Sequence, residues 1–245
     1  WSPREDTAEL EREAMRRHGV INEAHFLETR EEIELQRSKF AWIDRGGLLG
    51  PDFIFGHFIQ TTPEIIDRAA ETGSRMSWQP ASNGRLASGV ADIPRMRERG
   101  MSIGVGLDDQ ACTDISDPWG NMRIGIFAVR GTTGDPLSML PRDMLRFATL
   151  GSAEVIGVDD RVGSLEPGKF ADFLVVDPRR PDIGPLWHPI DNYVLSCGPR
   201  NLRAVYVGGE LVNEDGVSTN PLAAEASAKL HEQLPALARA VGWPR

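Results

Sequence analysis

Apolar runs that end on a polar side chain recur along the first half of the chain. Val20-Ile21-Asn22-Glu23-Ala24 leads to His25, Phe53-Ile54-Phe55-Gly56 to His57, and Ser102-Ile103-Gly104-Val105-Gly106-Leu107 to Asp108. Their lengths and apolar content predict short buried strands. Helical patterns separate them. Thr7 to His18 reads as an amphipathic helix with Leu10 and Met15 facing inward. Thr29 to Gly46 places Ile33, Phe40, Trp42 and Ile43 on one side. Thr62-Pro63-Glu64 opens a further helix, with Thr62 as N-cap and Pro63 at the first helical position. Met76-Ser77-Trp78 is predicted as a short strand, Gln79 to Gly84 as a polar loop, and Ile93 to Gly100 as a helix. Strands alternating with helices imply parallel βα units. In such folds the carboxyl ends of the strands converge on the ligand site. Three polar side chains at three strand ends therefore suggest one shared pocket.

Beyond Asp108 the pattern changes. Asp109 to Trp119 has no periodicity and reads as a long loop that shapes a pocket. Pro141 to Ile156 is predicted as one helix. Gly163 to Lys169 is a turn leading into the strand Phe173 to Asp177, and Leu202 to Val207 and Leu211-Val212 form a hairpin across Gly208-Gly209. Pro221 to Val241, rich in Ala, Leu and Glu, reads as a single surface helix. The change from βα units to antiparallel strands places a boundary near residue 162, with units at 1–162, 163–216 and 217–245.

Composition narrows the function. The 245 residues are 40% hydrophobic and 26% charged, ordinary values for a globular chain with a sizeable core. The formal net charge of −9 argues against nucleic-acid or anionic-membrane partners and for a small-molecule substrate. Cys112 and Cys197 are too few for a disulfide framework and fit a reducing, cytoplasmic compartment. No apolar run approaches the roughly 20 residues of a membrane span. The chain starts at Trp1 rather than Met, as expected of a fragment or a processed product.

Five segments carry a family resemblance: Ala24-His25-Phe26-Leu27-Glu28-Thr29, Gly56-His57-Phe58, Ser82 to Gly89, Gly106-Leu107-Asp108, and Gly163 to Asp172. Together and in this order they resemble the amidohydrolase superfamily, most closely its cytosine-deaminase and chlorohydrolase-like branch. The resemblance implies an α/β fold: the C-terminal half of a (β/α)8 TIM-like metal-dependent hydrolase barrel, strands five to eight, plus part of a small β-sandwich. It implies His25 and Asp108 as ligands of one divalent metal, Zn2+ first and Fe2+ as the alternative, with His57 contacting water or substrate and Glu28 shuttling protons. Neutral imidazole and carboxylate suit such ions, which lower the pKa of bound water from 15.7 to about 7. The implied activity is hydrolysis of carbon-nitrogen bonds other than peptide bonds, most simply deamination of a heterocycle. A cyclic-amide hydrolase or chlorohydrolase uses the same scaffold.

Two departures qualify the resemblance. The superfamily's first strand carries a His-x-His pair of metal ligands, and none occurs among the five histidines His18, His25, His57, His188 and His231. Half a barrel leaves open edges, so a homo-oligomer or a missing N-terminal half is expected to complete it; an inactive binding or assembly module is the alternative. Trp78 stands where many relatives carry His and is expected on the pocket wall. Other readings stay open as well. Glu28 also fits a first-turn acid on the helix dipole, and Asp108-Asp109 fits plain turn chemistry. Asn83 and Arg85 suit either a loop cap or a substrate contact. Gln110, Asp114 and Asp117 suit either substrate selection or a solvated loop.

Overall fold

The computed structural model describes residues 4–243 except Ile115, Arg180 and Asp182; Trp1 lies outside the described residues. Two sheets organise them. The first is parallel, in the order β1 (Asn22–Phe26), β2 (Phe53–His57), β3 (Arg75–Trp78) and β4 (Ile103–Val105). The register pairs His25 with Gly56, Gly56 with Ser77, and Ser77 with Gly104.

Helices lead into and join these strands: α1 (Glu5–His18), α2 (Ile33–Arg45), α3 (Pro63–Glu71), the short α4 (Pro80–Arg85) and α5 (Ile93–Glu98). The predicted cap of α3 is in place, with Thr62 Oγ1 accepting from the Ile65 N–H and Pro63 at the first position. That helix buries Ile65, Ile66 and Ala69. Phe26, Phe40, Phe53, Phe55 and Phe58 form the aromatic centre of the core, Phe55 and Phe58 stacked with ring centroids 4.1 Å apart.

Several elements differ from the sequence expectations. β1 starts at Asn22, because Val20 and Ile21 stay exposed after Gly19 ends α1; His25 therefore sits inside the strand rather than after it. The predicted polar loop at 79–84 is α4. The segment after Asp108 is not all loop: Asp109 caps α6 (Gln110–Thr113), and Asp117 caps α7 (Pro118–Thr133), a long helix whose apolar residues lack a clear stripe. The helix expected from Pro141 to Ile156 is α8 (Pro141–Arg146) and α9 (Ser152–Ile156), joined by a π-helical turn at Phe147–Gly151.

The second sheet is antiparallel, β5 (Phe173–Val176), β6 (Leu202–Val207), β7 (Glu210–Glu214) and β8 (Val217–Ser218) in sequential order, with α10 (Pro189–Leu195) inserted after β5. Val207 pairs with Glu210 across Gly208-Gly209, both in the left-handed region, as a two-residue hairpin of this twist requires. The tail is α11 (Pro221–Ala240), with no buried residues.

The parallel sheet stays open among the described residues. Burial alternates along β1, with Ala24 and Phe26 buried and Glu23 and His25 exposed, so the face that carries His25 meets solvent. At the other side, the edge of β4 is covered. The Gly106 N–H bonds to Trp78 O on β3, so the neighbouring Val105 N–H points away from that strand; it donates to Ser152 Oγ at 3.0 Å. Gly151 brings the π-helical turn against the same edge. A Cβ there would lie 2.5 Å from Ile103 O.

Candidate metal and catalytic site

The site is built from the carboxyl ends of β1, β2 and β4. His25 projects from β1, and Gly56, its cross-strand partner, leaves room for the ring: a Cβ on Gly56 would stand 3.3 Å from His25 Cδ2. His57 ends β2 with φ 66° and Phe58 follows with φ 46°, while Leu27 after β1 has φ 55° and Asp108 after β4 has φ 67°. Non-glycine residues enter this left-handed region at a cost of roughly 1–3 kcal/mol each. Four of them sit at three strand ends. The turn at His57 breaks the strand's alternation and brings its ring into the cluster, where the side chain is 1% exposed.

His57 is the hub. Its Nε2 lies 3.2 Å from His25 Nδ1, 3.7 Å from Glu28 Oε2 and 3.8 Å from Asp108 Oδ2. The two imidazoles meet edge to face, with centroids 4.6 Å apart. Burial pushes the His57 pKa down from 6.5 against the pull of Glu28 and Asp108, with His25 adding to the depression, so the ring is held neutral near pH 7. Asp108 is shifted in the opposite chemical sense. Burial raises its pKa, but the Ser82 hydroxyl donating to Oδ2 at 2.6 Å and the Asp109 N–H donating to Oδ1 at 2.8 Å bring it below 3.8 overall. Asp108 is thereby kept as a carboxylate.

The donor set suits a divalent ion. Among the described residues, His25, Glu28 and His57 offer one ligand atom each within 4.8 Å of one another, and Asp108, Asp109 and Cys112 form a second such group. The neighbouring carboxylate of Asp108 and the open side at His25 leave space for further ligands. Nitrogen and oxygen donors of this kind fit zinc or iron. Burial and the nearby Asp109 and Asp108 push the Cys112 thiol pKa up.

His25, Glu28, His57 and Asp108 are thus brought together. Of the other residues singled out from sequence, Asn83 is 1% exposed and lies under His57, with Nδ2 2.7 Å from Nδ1. Trp78 turns away: it is 1% exposed, and its ring lies against Gly125 of α7 beside Met144, so it is core and not pocket wall. Gln110 is exposed at the start of α6, its side chain donating to Ser116 Oγ. Arg85 and Asp114 pair with each other, tying α4 to the end of α6. Two residues escaped sequence reading. Gln79 Oε1 accepts the His57 N–H at 3.0 Å, and Ser82 holds Asp108. The available signal for Gln79 was the rule that exposed the others, a polar residue directly after an apolar strand.

Comparison with known proteins bears on the family and the fold. Residues 2–212 match the family model described as the amidohydrolase family. A 5-methylthioadenosine/S-adenosylhomocysteine deaminase of Syntrophobacter fumaroxidans is 33% identical over 204 residues, covering 81% of this chain and 47% of that protein. An adenosine deaminase from Xanthomonas campestris, solved with bound zinc, superposes with a TM-score of 0.86 at 26% identity, over 92% of this chain and 53% of the other. The zinc complex of the atrazine chlorohydrolase TrzN from Arthrobacter aurescens TC1 shares the fold with a TM-score of 0.83 at 21% identity, over 94% of this chain and 52% of the other. The chain spans about half the length of the curated relatives it matches. With a parallel half-barrel, an imidazole and carboxylate cluster at its strand ends, and a family match across most of its length, the chain belongs to the amidohydrolase family.

Proposed function

We propose that this chain supplies the C-terminal half of a metal-dependent hydrolase that removes an amine from a heterocycle by adding water to an sp2 carbon. The observation that carries the reading is the meeting of His25, Glu28 and His57 at the strand ends, with Asp108 Oδ2 3.8 Å from His57 Nε2. The deaminase names of relatives support the reaction type, and a purine-like substrate is the first class to try.

His25 and Asp108 would hold the divalent ion, Zn2+ first and Fe2+ as the alternative. The ion, when bound, supplies Lewis acidity and an activated water. Asp108, held as a carboxylate by Ser82, would accept a proton from the attacking water. The Nε2 of neutral His57 would donate to the oxygen that adds to the substrate carbon, steadying the negative charge that develops there. Glu28, 3.7 Å from the same Nε2, would pass the proton given up by the water on to the departing nitrogen, so that water is consumed and ammonia leaves. Gln110, exposed at the start of α6, would touch the substrate.

Completion of the barrel belongs to the same proposal. His25 and Glu23 are exposed on the inner face, and β1 is an edge strand of the sheet among the described residues, so a polypeptide carrying the first strands, or a second copy of this chain, would close the site. The second reading is an incomplete module with a binding or assembly role.

Metal content by mass spectrometry separates the two. The test compares this chain alone, the chain joined to an upstream half-barrel bearing His-x-His, and the His25→Ala version of each. Stoichiometric zinc or iron in the joined protein, lost on His25→Ala and accompanied by ammonia release from adenine nucleosides, is the expected result. Retention of no metal by any form would reject the catalytic reading in favour of the module.

A further inference from the structure

The short segment Gln79–Asn83 touches the cluster at three points. Gln79 Oε1 accepts the backbone N–H of strained His57, Ser82 Oγ donates to Asp108, and Asn83 reaches His57 Nδ1. The segment is itself fixed. Gln79 Nε2 donates to Ser77 Oγ at 2.8 Å, the Ala81 N–H donates to Asn121 Oδ1 at 2.9 Å, and Asn121 Nδ2 donates to Gly106 O at 2.9 Å, on the approach to Asp108.

We infer that Asn83 is a positioning residue that sets the tautomer of His57, placing the proton on Nε2 and leaving Nδ1 bare. The functional value of this tautomer rests on the proposed hydrolytic reading; the tautomer itself rests on geometry alone.

His57 Nε2 faces His25 Nδ1 at 3.2 Å and two carboxylate oxygens, of Glu28 and Asp108, at 3.7 and 3.8 Å; an Nε2–H can donate to the imidazole as well as meet the carboxylates. A lone pair on Nε2 would be repelled by both, whereas an N–H there is attracted. A neutral imidazole carries one proton, so Nδ1 is then an acceptor buried against Asn83. At 2.7 Å it needs a donor, and Asn83 Nδ2 is the one in contact. The other end of the amide agrees. Asn83 Oδ1 is buried without a hydrogen-bond partner. A stranded acceptor is destabilising, and an apolar side chain of the same size would avoid it. The amide is therefore present for its N–H. Gln79 fixes the backbone of His57 and Asn83 fixes its ring, leaving Nε2–H as the one donor the ring directs at the cluster.

Nitrogen NMR of the metal-free chain labelled with 15N-histidine reads the tautomer directly, with His57 assigned by its loss in His57→Gln. The wild type is expected to show a protonated Nε2 and a bare Nδ1. Asn83→Asp, which offers an acceptor in place of a donor, is expected to move the proton to Nδ1; Asn83→Leu removes the amide donor while Glu28 and Asp108 still favour Nε2–H, so it is expected to lower the Nε2–H fraction without reversing it. A wild type protonated at Nδ1 overturns the inference even if neither variant folds, as does a His57 signal unchanged by both substitutions. In the completed enzyme, Asn83→Asp is expected to lower kcat roughly 100-fold with KM little changed. If the wild-type tautomer is as expected and no form turns over substrate, the hydrolytic reading fails while the role of Asn83 stands.

Discussion

His57 illustrates how much a single position carries. It is buried, strained at φ 66°, held at its backbone by Gln79 and at its ring by Asn83, and it touches three further candidate residues. Such a residue was legible from sequence as a polar group closing an apolar run, and so were His25 and Asp108, whereas Glu28 came from the family resemblance. Trp78 was misread because periodicity does not say which face of a four-residue strand looks inward; the register decided that. Trp78→Ala is expected to cost roughly 3–5 kcal/mol, the usual range for emptying a buried indole site. Urea denaturation measures the loss. The metal content of the folded fraction should remain that of the parent, and loss of metal in folded protein would restore Trp78 to the site.

At the scale of elements, the strands with strong apolar runs were legible and their boundaries were not. β1 shifted because Val20 and Ile21 contribute little buried surface once Gly19 ends the preceding helix. α7 and α10 escaped notice because each also carries apolar residues on its exposed side, Ile124 and Phe127 in α7 and Ile190 in α10, which blur a one-faced stripe. The π-helical turn is a tertiary feature: it lets Gly151 approach Ile103 O and places Ser152 under the edge of β4. Gly151→Val puts a branched side chain where a Cβ alone would stand 2.5 Å from a backbone oxygen. The turn must then lift, at a cost above about 1–3 kcal/mol. A lower thermal midpoint and new self-association on size exclusion, through the exposed edge, are the expected results. Ser152→Ala is expected to show the same change more weakly.

For the whole molecule, the two sheets respond to different variables. The second sheet is pinned by charge. Asp177 accepts from the Arg179 side chain and backbone and from Arg203, and these hold its pKa well below the 3.8 of a free carboxyl. Because the folded-state pKa is the lower one, this contribution is complete above the unfolded value and is lost progressively as pH falls from there through the folded value. The midpoint of urea unfolding should therefore begin to drop at about pH 5 and keep falling below about pH 3, less so in high salt, and Asp177→Asn should remove that part of the pH dependence. An Asp177→Asn profile parallel to wild type would refute the assignment. The first sheet depends instead on closure, since the face bearing Glu23 and His25 is exposed. Among the described residues no helix is long and apolar enough to cross a membrane.

The amino-acid sequence by itself determined the order of the βα units, the candidate His25, Glu28, His57 and Asp108, and the family they resemble, because alternating burial and strand-end polarity are local and repeat along the chain. Only the tertiary structure decided which side chains meet. The left-handed turns at His57 and Asp108, the support of Gln79, Ser82 and Asn83 beneath them, the withdrawal of Trp78 into the core and the exposure of His25 all depend on register and on neighbours distant in sequence. Hydrogen bonds between such neighbours leave no period to read.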